Sequence, residues 1–236
     1  MRLPTLLLLI SVVLWPNPAR AEDQDEAIKK IRLLRGEVRL DDKLPGTPVV
    51  SVSFYGSSRF NGKFLHLVKG LDQLTSLDLR KTDIGDTHLK EIAELENLTT
   101  LRLSNVPITD AGLIELRSQK KLSTLDLAGT RITDDGLKEL SVHHSLRYLD
   151  LSETTITGMG LKDLSGLPNL LSLNLENTKV NDTGLECVHE FKHLIRINLR
   201  RTSVTDAGQK AFSVSMPNTR IYDSGSGPAF NVGMNR

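Results

Sequence analysis

Three carboxylates recur at or close to a common spacing, Asp126, Asp150 and Glu176, and Tyr148 stands two residues before the second of them. Carboxylates brought together can hold a hard cation, and a tyrosine among them can anchor a polar ligand. A basic group, Arg196, Arg200 and Arg201, follows further along the chain. Tyr55, Arg80 and Arg102 precede it. Arginine and tyrosine are the types most often found as binding hot spots. Catalytic signatures are missing: the chain has no G-x-S-x-G, H-E-x-x-H or phosphate-binding loop, and each such motif is needed to assemble its chemistry. His143 and His144 adjoin without a nucleophile in a matching frame. The expectation is a protein without catalytic residues, cofactor or metal, because carboxylates displayed on a flat surface do not wrap an ion as a loop does.

The elements that must position these residues come from a repeat. The frame L-x-x-L-x-L-x-x-T-x-I-T-D-x-G-L-x-x-L recurs six times at a step of 24 residues, with its middle leucine at Leu77, Leu101, Leu125, Leu149 and Leu173 and then Ile197. A period of this length marks a solenoid, whose units are each too small to bury their own apolar face. In a unit such as Leu122 to Leu140, Leu125 and Leu127 alternate with Thr124, Asp126 and Ala128. That is the pattern of a half-buried strand. The Thr133-Asp134-Asp135-Gly136-Leu137 stretch then predicts a short helix. Asp110, Asp134, Asp182 and Asp206 recur at its start, where a carboxylate accepts from unpaired backbone N–H groups. Gly158 replaces this Asp in the fourth unit, which predicts a weaker cap there.

Two further columns are structural. Thr82, Thr130, Thr154, Thr178 and Thr202 stand where the chain leaves the strand, and a hydroxyl there can satisfy free backbone groups. Val106 interrupts this column and Pro107 follows, which predicts a local irregularity. Glycines 112, 136, 160, 184 and 208 permit close approach of neighbouring units, and His88 in the first unit reads as structural variation.

The register also assigns the outward-facing residues of each strand. Asp78, Arg102, Asp126, Asp150, Asn174 and Asn198 fall between the two core leucines. Tyr148 and Arg196 fall two residues earlier, and Tyr55, Arg80, Glu176 and Arg200 two residues later. The candidate partner-binding set is therefore Tyr55, Arg80, Arg102, Asp126, Tyr148, Asp150, Glu176, Arg196 and Arg200. An alternative for part of it is mutual neutralisation of Asp78, Arg102 and Asp126 on adjacent strands. Seven strands at about 4.8 Å give a face roughly 30 Å long.

The repeats over residues 49–213 resemble the leucine-rich repeat superfamily, and their T-D-x-G-L signature is most similar to its cysteine-containing or F-box-associated subclass and to simple exported bacterial members. The resemblance implies an α/β fold, a curved solenoid of about seven repeats with a parallel concave β-sheet and short convex helices. It also implies recognition of a protein partner by the concave face, without catalysis. The alternatives are a structural, self-associating component of the cell envelope, or the recognition subunit of an enzyme complex such as a ubiquitin ligase.

The ends complete the expected organisation. Residues 1–21 read as a secretory signal, with Arg2, an apolar run from Leu6 to Trp15 and an Ala19-Arg20-Ala21 exit. The run is too short for the roughly 20 residues of a membrane span. Cleavage near Ala21 would place the protein in the periplasm or outside the cell, and the alternative is an anchor that stays uncleaved. Loss of Arg2 and Arg20 takes the 30 basic residues to 28 against 29 acidic ones. The chain carries no basic stripe or basic amphipathic helix, which argues against nucleic acid and membrane-surface partners. Residues 22–48 read as an N-terminal cap of helix and strand, 214–222 as a C-terminal cap and 223–236 as a flexible tail. The lone Cys187 cannot form an internal disulfide, and its column places it on the polar side of a helix. A monomer is expected.

Overall fold

A computed structural model describes residues 18–223, with side chains from residue 23 onward. Strands β1 (Glu37–Leu40), β2 (Val49–Ser53), β3 (Ser76–Asp78), β4 (Thr100–Arg102), β5 (Thr124–Asp126), β6 (Tyr148–Asp150), β7 (Ser172–Asn174), β8 (Arg196–Asn198) and β9 (Arg220–Tyr222) lie side by side in chain order in one nine-stranded sheet. From β2 onward every pairing is parallel, and the core residue pairs with its counterpart in each step, as Leu101 with Leu125 and Leu125 with Leu149. The 24-residue step therefore passes into the sheet without slippage. The register has a physical cause: a slip of one residue would turn Leu125 and its counterparts outward and the polar columns inward.

The core runs the length of the stack as one cluster. Leu122, Leu125, Leu127, Ile132, Leu137 and Leu140 of a single unit are all at 0% exposure. Truncating one of them, as in Leu125→Ala, is expected to cost about 2–5 kcal/mol because neighbours on both sides prevent the cavity from collapsing. Opposite the strands run short helical segments, α-helical at Asp110–Glu115 and Asp182–Glu186 and 3-10 at Asp134–Val142 and Met159–Leu164.

Seven strands, β2 to β8, come from the repeats, and one more flanks them on each side. At the first end, helix α1 (Pro18–Leu33) precedes β1, which pairs antiparallel with β2. Helix α1 spans the expected cleavage point near Ala21; residues 1–17 of the expected signal, and all but Asp223 of the expected tail, lie outside the described residues. At the other end, β9 adds in parallel through Ile197 and Ile221, so the segment read only as a closing cap extends the sheet. Phe212, 1% exposed, covers the last core layer beneath.

The aspartate column works differently from its expected role. The helix caps are the residues just before it: Thr109 accepts from the Ala111 N–H, Thr133 from Asp135, Asn181 from Gly184 and Thr205 from Gly208. Asp86, Asp110, Asp134 and Asp182 instead reach into the next unit. Asp86 accepts from the Thr109 N–H at 2.8 Å and hydroxyl at 2.7 Å, Asp110 likewise from Thr133 at 2.9 and 2.7 Å, and Asp182 from Thr205 at 2.8 and 2.7 Å. The glycine column makes room for this bridge. A Cβ on Gly112 would stand 2.5 Å from the Asp86 carboxylate.

The weaker cap expected at Gly158 is found, and the bridge from the preceding unit offsets it. Gly158 itself supplies no side-chain cap, but Asp134 of the preceding unit accepts from the Thr157 N–H and hydroxyl and from the Gly158 and Gly160 N–H groups. Gly158, at φ 101°, leaves its own unit without an aspartate to reach Asn181. Its backbone packs instead on Gly184, whose Cα would lie 2.6 Å from a Cβ at position 158. In the first unit, the His88 Nδ1 accepts from the Gly85 N–H at 3.0 Å, a local structural bond.

The threonine column has its expected role. Thr82, Thr130, Thr154, Thr178 and Thr202 each donate a hydroxyl to the carbonyl three residues earlier, at 2.6 to 2.7 Å. Val106 has no hydroxyl and is buried, and the chain there closes a tight turn from the Ile108 N–H to the Val106 carbonyl around Pro107. The irregularity stays in the loop, since β3, β4 and β5 keep their register through it. Just before this column every repeat turns through left-handed backbone, at Lys81, Asn105, Gly129, Glu153, Asn177 and Arg201 with φ between 54° and 64°. Cys187 is half-buried and packs beside the core, and the polar residues of its column, Glu115, Glu139 and Asp163, are half-buried in the same way.

Candidate protein-binding face

The outward positions of β2 to β9 form one continuous lattice, and the register of the sheet brings all nine candidate residues onto it or onto the turn just after it. The central column is the most structural part. Asp78, Asp126, Asp150, Asn174 and Asn198 each accept, through Oδ1, from the N–H two residues on, at 2.9 to 3.1 Å. These short side chains satisfy a backbone donor where the strand ends, which is why Asp and Asn recur there.

The remaining oxygens of this column are also engaged. Asp126 accepts from the Ser104 hydroxyl at 2.7 Å, and Asp150 from the Ser152 hydroxyl at 2.6 Å and the Asn174 amide at 2.9 Å. Burial pushes the Asp150 carboxyl above its ordinary range; the Ser152 and Asn174 hydrogen bonds oppose this, and the Asp126 charge adds to it. Glu176 accepts from the Asn198 amide at 3.1 Å. The carboxylates are thus individually tethered. Among the described residues, no group of three or more His, Cys, Asp or Glu side chains is arranged to hold a metal ion.

Mutual neutralisation of Asp78, Arg102 and Asp126 is not the arrangement found. Asp78 pairs with Arg80 of its own unit, Nη2 to Oδ2 at 2.6 Å and Nε to Oδ1 at 2.9 Å, and that hydrogen bond is the main cause raising the Arg80 pKa. Asp126 turns to Ser104 instead. The Arg80 fork reaches Asp78 within a strand more easily than Arg102 can reach across to it.

The aromatic members of the face are each stacked by a cation. Arg80 lies over the Tyr55 ring at 4.8 Å and Lys81 at 5.5 Å, Arg196 lies over Tyr148 at 5.8 Å, and Arg220 over Tyr222 at 4.9 Å. Arg200 sends its Nε to the Asp223 carbonyl at 2.9 Å. Arg220 and Tyr222 escaped sequence reading because the repeat frame ends before them; the alternation Arg220-Ile221-Tyr222 was the available signal. The Tyr148 and Arg196 pair bridges Ser172 on the strand between them. Ser172 is fully buried, and its hydroxyl has no hydrogen-bond partner.

Among the described residues of this face, no serine or cysteine is hydrogen-bonded to a histidine; the Ser215 hydroxyl and His189 Nε2 meet at 2.7 Å, but in the helical segments opposite the sheet. An indentation of about 340 Å³ on the face lies between Arg35, Glu37, Ser53, Tyr55, Asp78 and Arg80. Among the described residues, no helix is long and apolar enough to cross a membrane.

Comparison with known proteins agrees with the repeat architecture. Two family models, both described as leucine rich repeat, match residues 120–180 and residues 74–93 and 94–116, which supports a leucine-rich repeat protein. No curated protein sequence matches the chain. Among solved structures, internalin C2 from Listeria monocytogenes is similar with TM-score 0.61 at 24% identity, over 89% of this chain and 84% of that one. The internalin inlF from the same organism gives 0.55 at 19% identity, over 84% and 62%. A leucine-rich repeat protein from Leptospira interrogans gives 0.52 at 20% identity, over 66% and 44%. At these identities the likeness is one of fold, a parallel sheet with short helices on its other side.

Proposed function

We propose that this protein is an exported, non-catalytic scaffold that recognises a protein partner through its concave sheet. The observation that carries this reading is the set of three tyrosines on one continuous face, each stacked by a cation and set among small polar side chains. Amphipathic rings held in place lose little freedom on binding, and with arginine they supply most of the energy of protein interfaces. Nine strands at about 4.8 Å make a face roughly 38 Å long, enough for the approximately 800 Å² that a partner of ordinary size covers. Export rests on the Arg2, Leu6 to Trp15 and Ala19-Arg20-Ala21 pattern, and the T-D-x-G-L frame favours the cysteine-containing type of repeat.

One experiment tests both parts. The tagged chain is recovered from the exported fraction, its N-terminus is sequenced, and captured proteins are compared with those of a Tyr148→Ala, Asp150→Ala variant. A first residue of Glu22 and loss of one specific partner in the variant are expected. A chain beginning at Met1 refutes cleavage; unchanged partner recovery counts against the concave face.

A further inference from the structure

We infer that β1, the open edge of the sheet at its N-terminal end, pairs antiparallel with β1 of a second copy, so that two solenoids share one continuous sheet. The inference goes beyond the reading of the concave face as the binding surface and stands without it. It replaces the monomer expected from the sequence with a two-fold dimer.

Strand β1 is bonded on one side only, to β2, and among the described residues no other strand covers its outer edge. An uncovered edge offers a row of backbone donors and acceptors to another strand. Natural edges are often guarded by charge, and charge of a single sign turns a second copy away. Here the guards have opposite signs. Glu37 and Arg39 flank Val38, both are exposed, and neither has an ion-pair partner among the described residues. They stand opposite Ser53 and Ser51, which places both on the concave side, while Val38 stands opposite the buried Val52.

In an antiparallel pairing centred on Val38, Glu37 of one copy lies opposite Arg39 of the other, and the two-fold axis makes the match twice. A shift of one residue would turn the second copy's charges to the core side, and a shift of two would oppose like charges. The strand is thus complementary to itself in one register.

The cap helix repeats the pattern. Helix α1 packs along β1 and runs opposite to it: Gln24 near its start accepts through Oε1 from the Val49 N–H at 2.9 Å, beside the far end of β1, and the Ile31 carbonyl near its end accepts from the Gly36 N–H at 2.8 Å. Its exposed charges divide along its length, Asp23 and Asp25 toward the start and Lys29 and Arg32 toward the end. The rotation that pairs the strands sets the two helices antiparallel, acidic half toward basic half. Leu33, 70% exposed, and Leu40, 42% exposed, stand near the two ends of β1 and are the kind of surface that association buries. Such a dimer presents two concave faces as one, and a partner with two like sites is held at both.

The test is sedimentation velocity on the full chain, expressed with its own N-terminus. One short strand and one helix make a small interface, so association is read at about 1 to 100 µM. A monomer–dimer equilibrium that weakens as salt is raised is expected. Glu37→Arg and Arg39→Glu each turn two attractions across the axis into two repulsions, and each should weaken association by about tenfold or more with far-UV circular dichroism unchanged. The double variant Glu37→Arg, Arg39→Glu exchanges the charges and should associate within about threefold of wild type. An equimolar mixture of the two single variants should form mixed dimers. A chain that stays monomeric at about 100 µM, single variants that associate like wild type, or a double variant as weak as the single ones overturns the inference. Growth beyond a dimer overturns it as well, since a two-fold pairing closes on itself.

Discussion

Replacement of Asp134 by alanine offers the sharpest test of how the repeats hold together. Its carboxylate takes four donors from the next unit: the Thr157 N–H at 3.0 Å, the Thr157 hydroxyl at 2.7 Å, the Gly158 N–H at 3.2 Å and the Gly160 N–H at 2.9 Å. A hydrogen bond to a charged group contributes about 1.5–3 kcal/mol, but this carboxylate is partly exposed and water can replace it. The set is therefore expected to contribute about 2–3 kcal/mol, at or a little above the upper end of helix-cap losses. Asp110, with two donors in the same relation, should contribute about 1 kcal/mol. Asp134→Asn keeps an oxygen acceptor but loses the charge, and should fall between. The measurement is urea denaturation followed by far-UV circular dichroism, at neutral pH and in acid.

The sign of the pH effect follows from the same bonds. Burial pushes the Asp134 carboxyl up, but the hydrogen bonds from Gly160, Thr157 and Gly158 outweigh it, and the net shift is downward. A folded value below the unfolded one, about 3.9, means that the stabilisation is full above about pH 5. It is lost as pH falls through the folded value. The difference between wild type and Asp134→Ala should shrink below about pH 3. A loss under about 0.5 kcal/mol, a loss no larger than that of Asp110→Ala, or a difference independent of pH would refute the bridge as the source of cohesion between these units.

Two further outcomes follow from residues that depart from the frame. Glu153 is exposed and turns through left-handed backbone at φ 57°, so Glu153→Asn should raise stability by up to about 1 kcal/mol, read as a higher urea midpoint at unchanged slope; a lower midpoint counts against the strain. His143 is fully buried with its Nδ1 on the Gln119 carbonyl at 3.0 Å and no partner for Nε2. Burial pushes its pKa down, the Gln119 bond opposes this, and the Lys120 and His144 charges lower it further. The unfolded chain therefore takes up its proton first, and stability is lost as pH falls below about 6.5. His143→Leu, which restores the apolar type found at Leu71, Leu95 and Leu167 in this column, should flatten stability between about pH 6.5 and 5. An unchanged slope would show that His143 does not titrate against folding.

The strands and their register were legible because Leu77 through Ile197 repeat at one interval and alternate with polar residues, and both patterns follow from burial on one side. The threonine hydroxyls were legible because their bonds are local, three residues apart. What a linear pattern hides is contact between units. Asp110 sits at a helix start, where capping is the local reading, yet its partner is Thr133 in the next unit. Arg102 looked paired by its neighbours in the lattice, but only side-chain reach decides between Arg102 and Arg80 for Asp78. The left-handed column gave no glycine signature, since Lys81, Glu153 and Arg201 occupy it along with two asparagines and Gly129. On the candidate face, residue types could be placed on the surface from sequence, whereas the stacking of arginine on tyrosine across one intervening strand depends on side-chain conformation.

The Asp-to-Thr bridges from Asp86, Asp110, Asp134 and Asp182 all run one way, from a repeat to the one that follows. A helix start is thus completed by a residue that precedes it in the chain, and is already present when that helix emerges during synthesis. Shortening from the C-terminus removes donors from the last remaining aspartate but leaves the bridges of the surviving helix starts intact. Shortening from the N-terminus strips the bridge from the first surviving helix. The stack therefore has a growth direction, and its two ends are chemically unequal before any cap is considered.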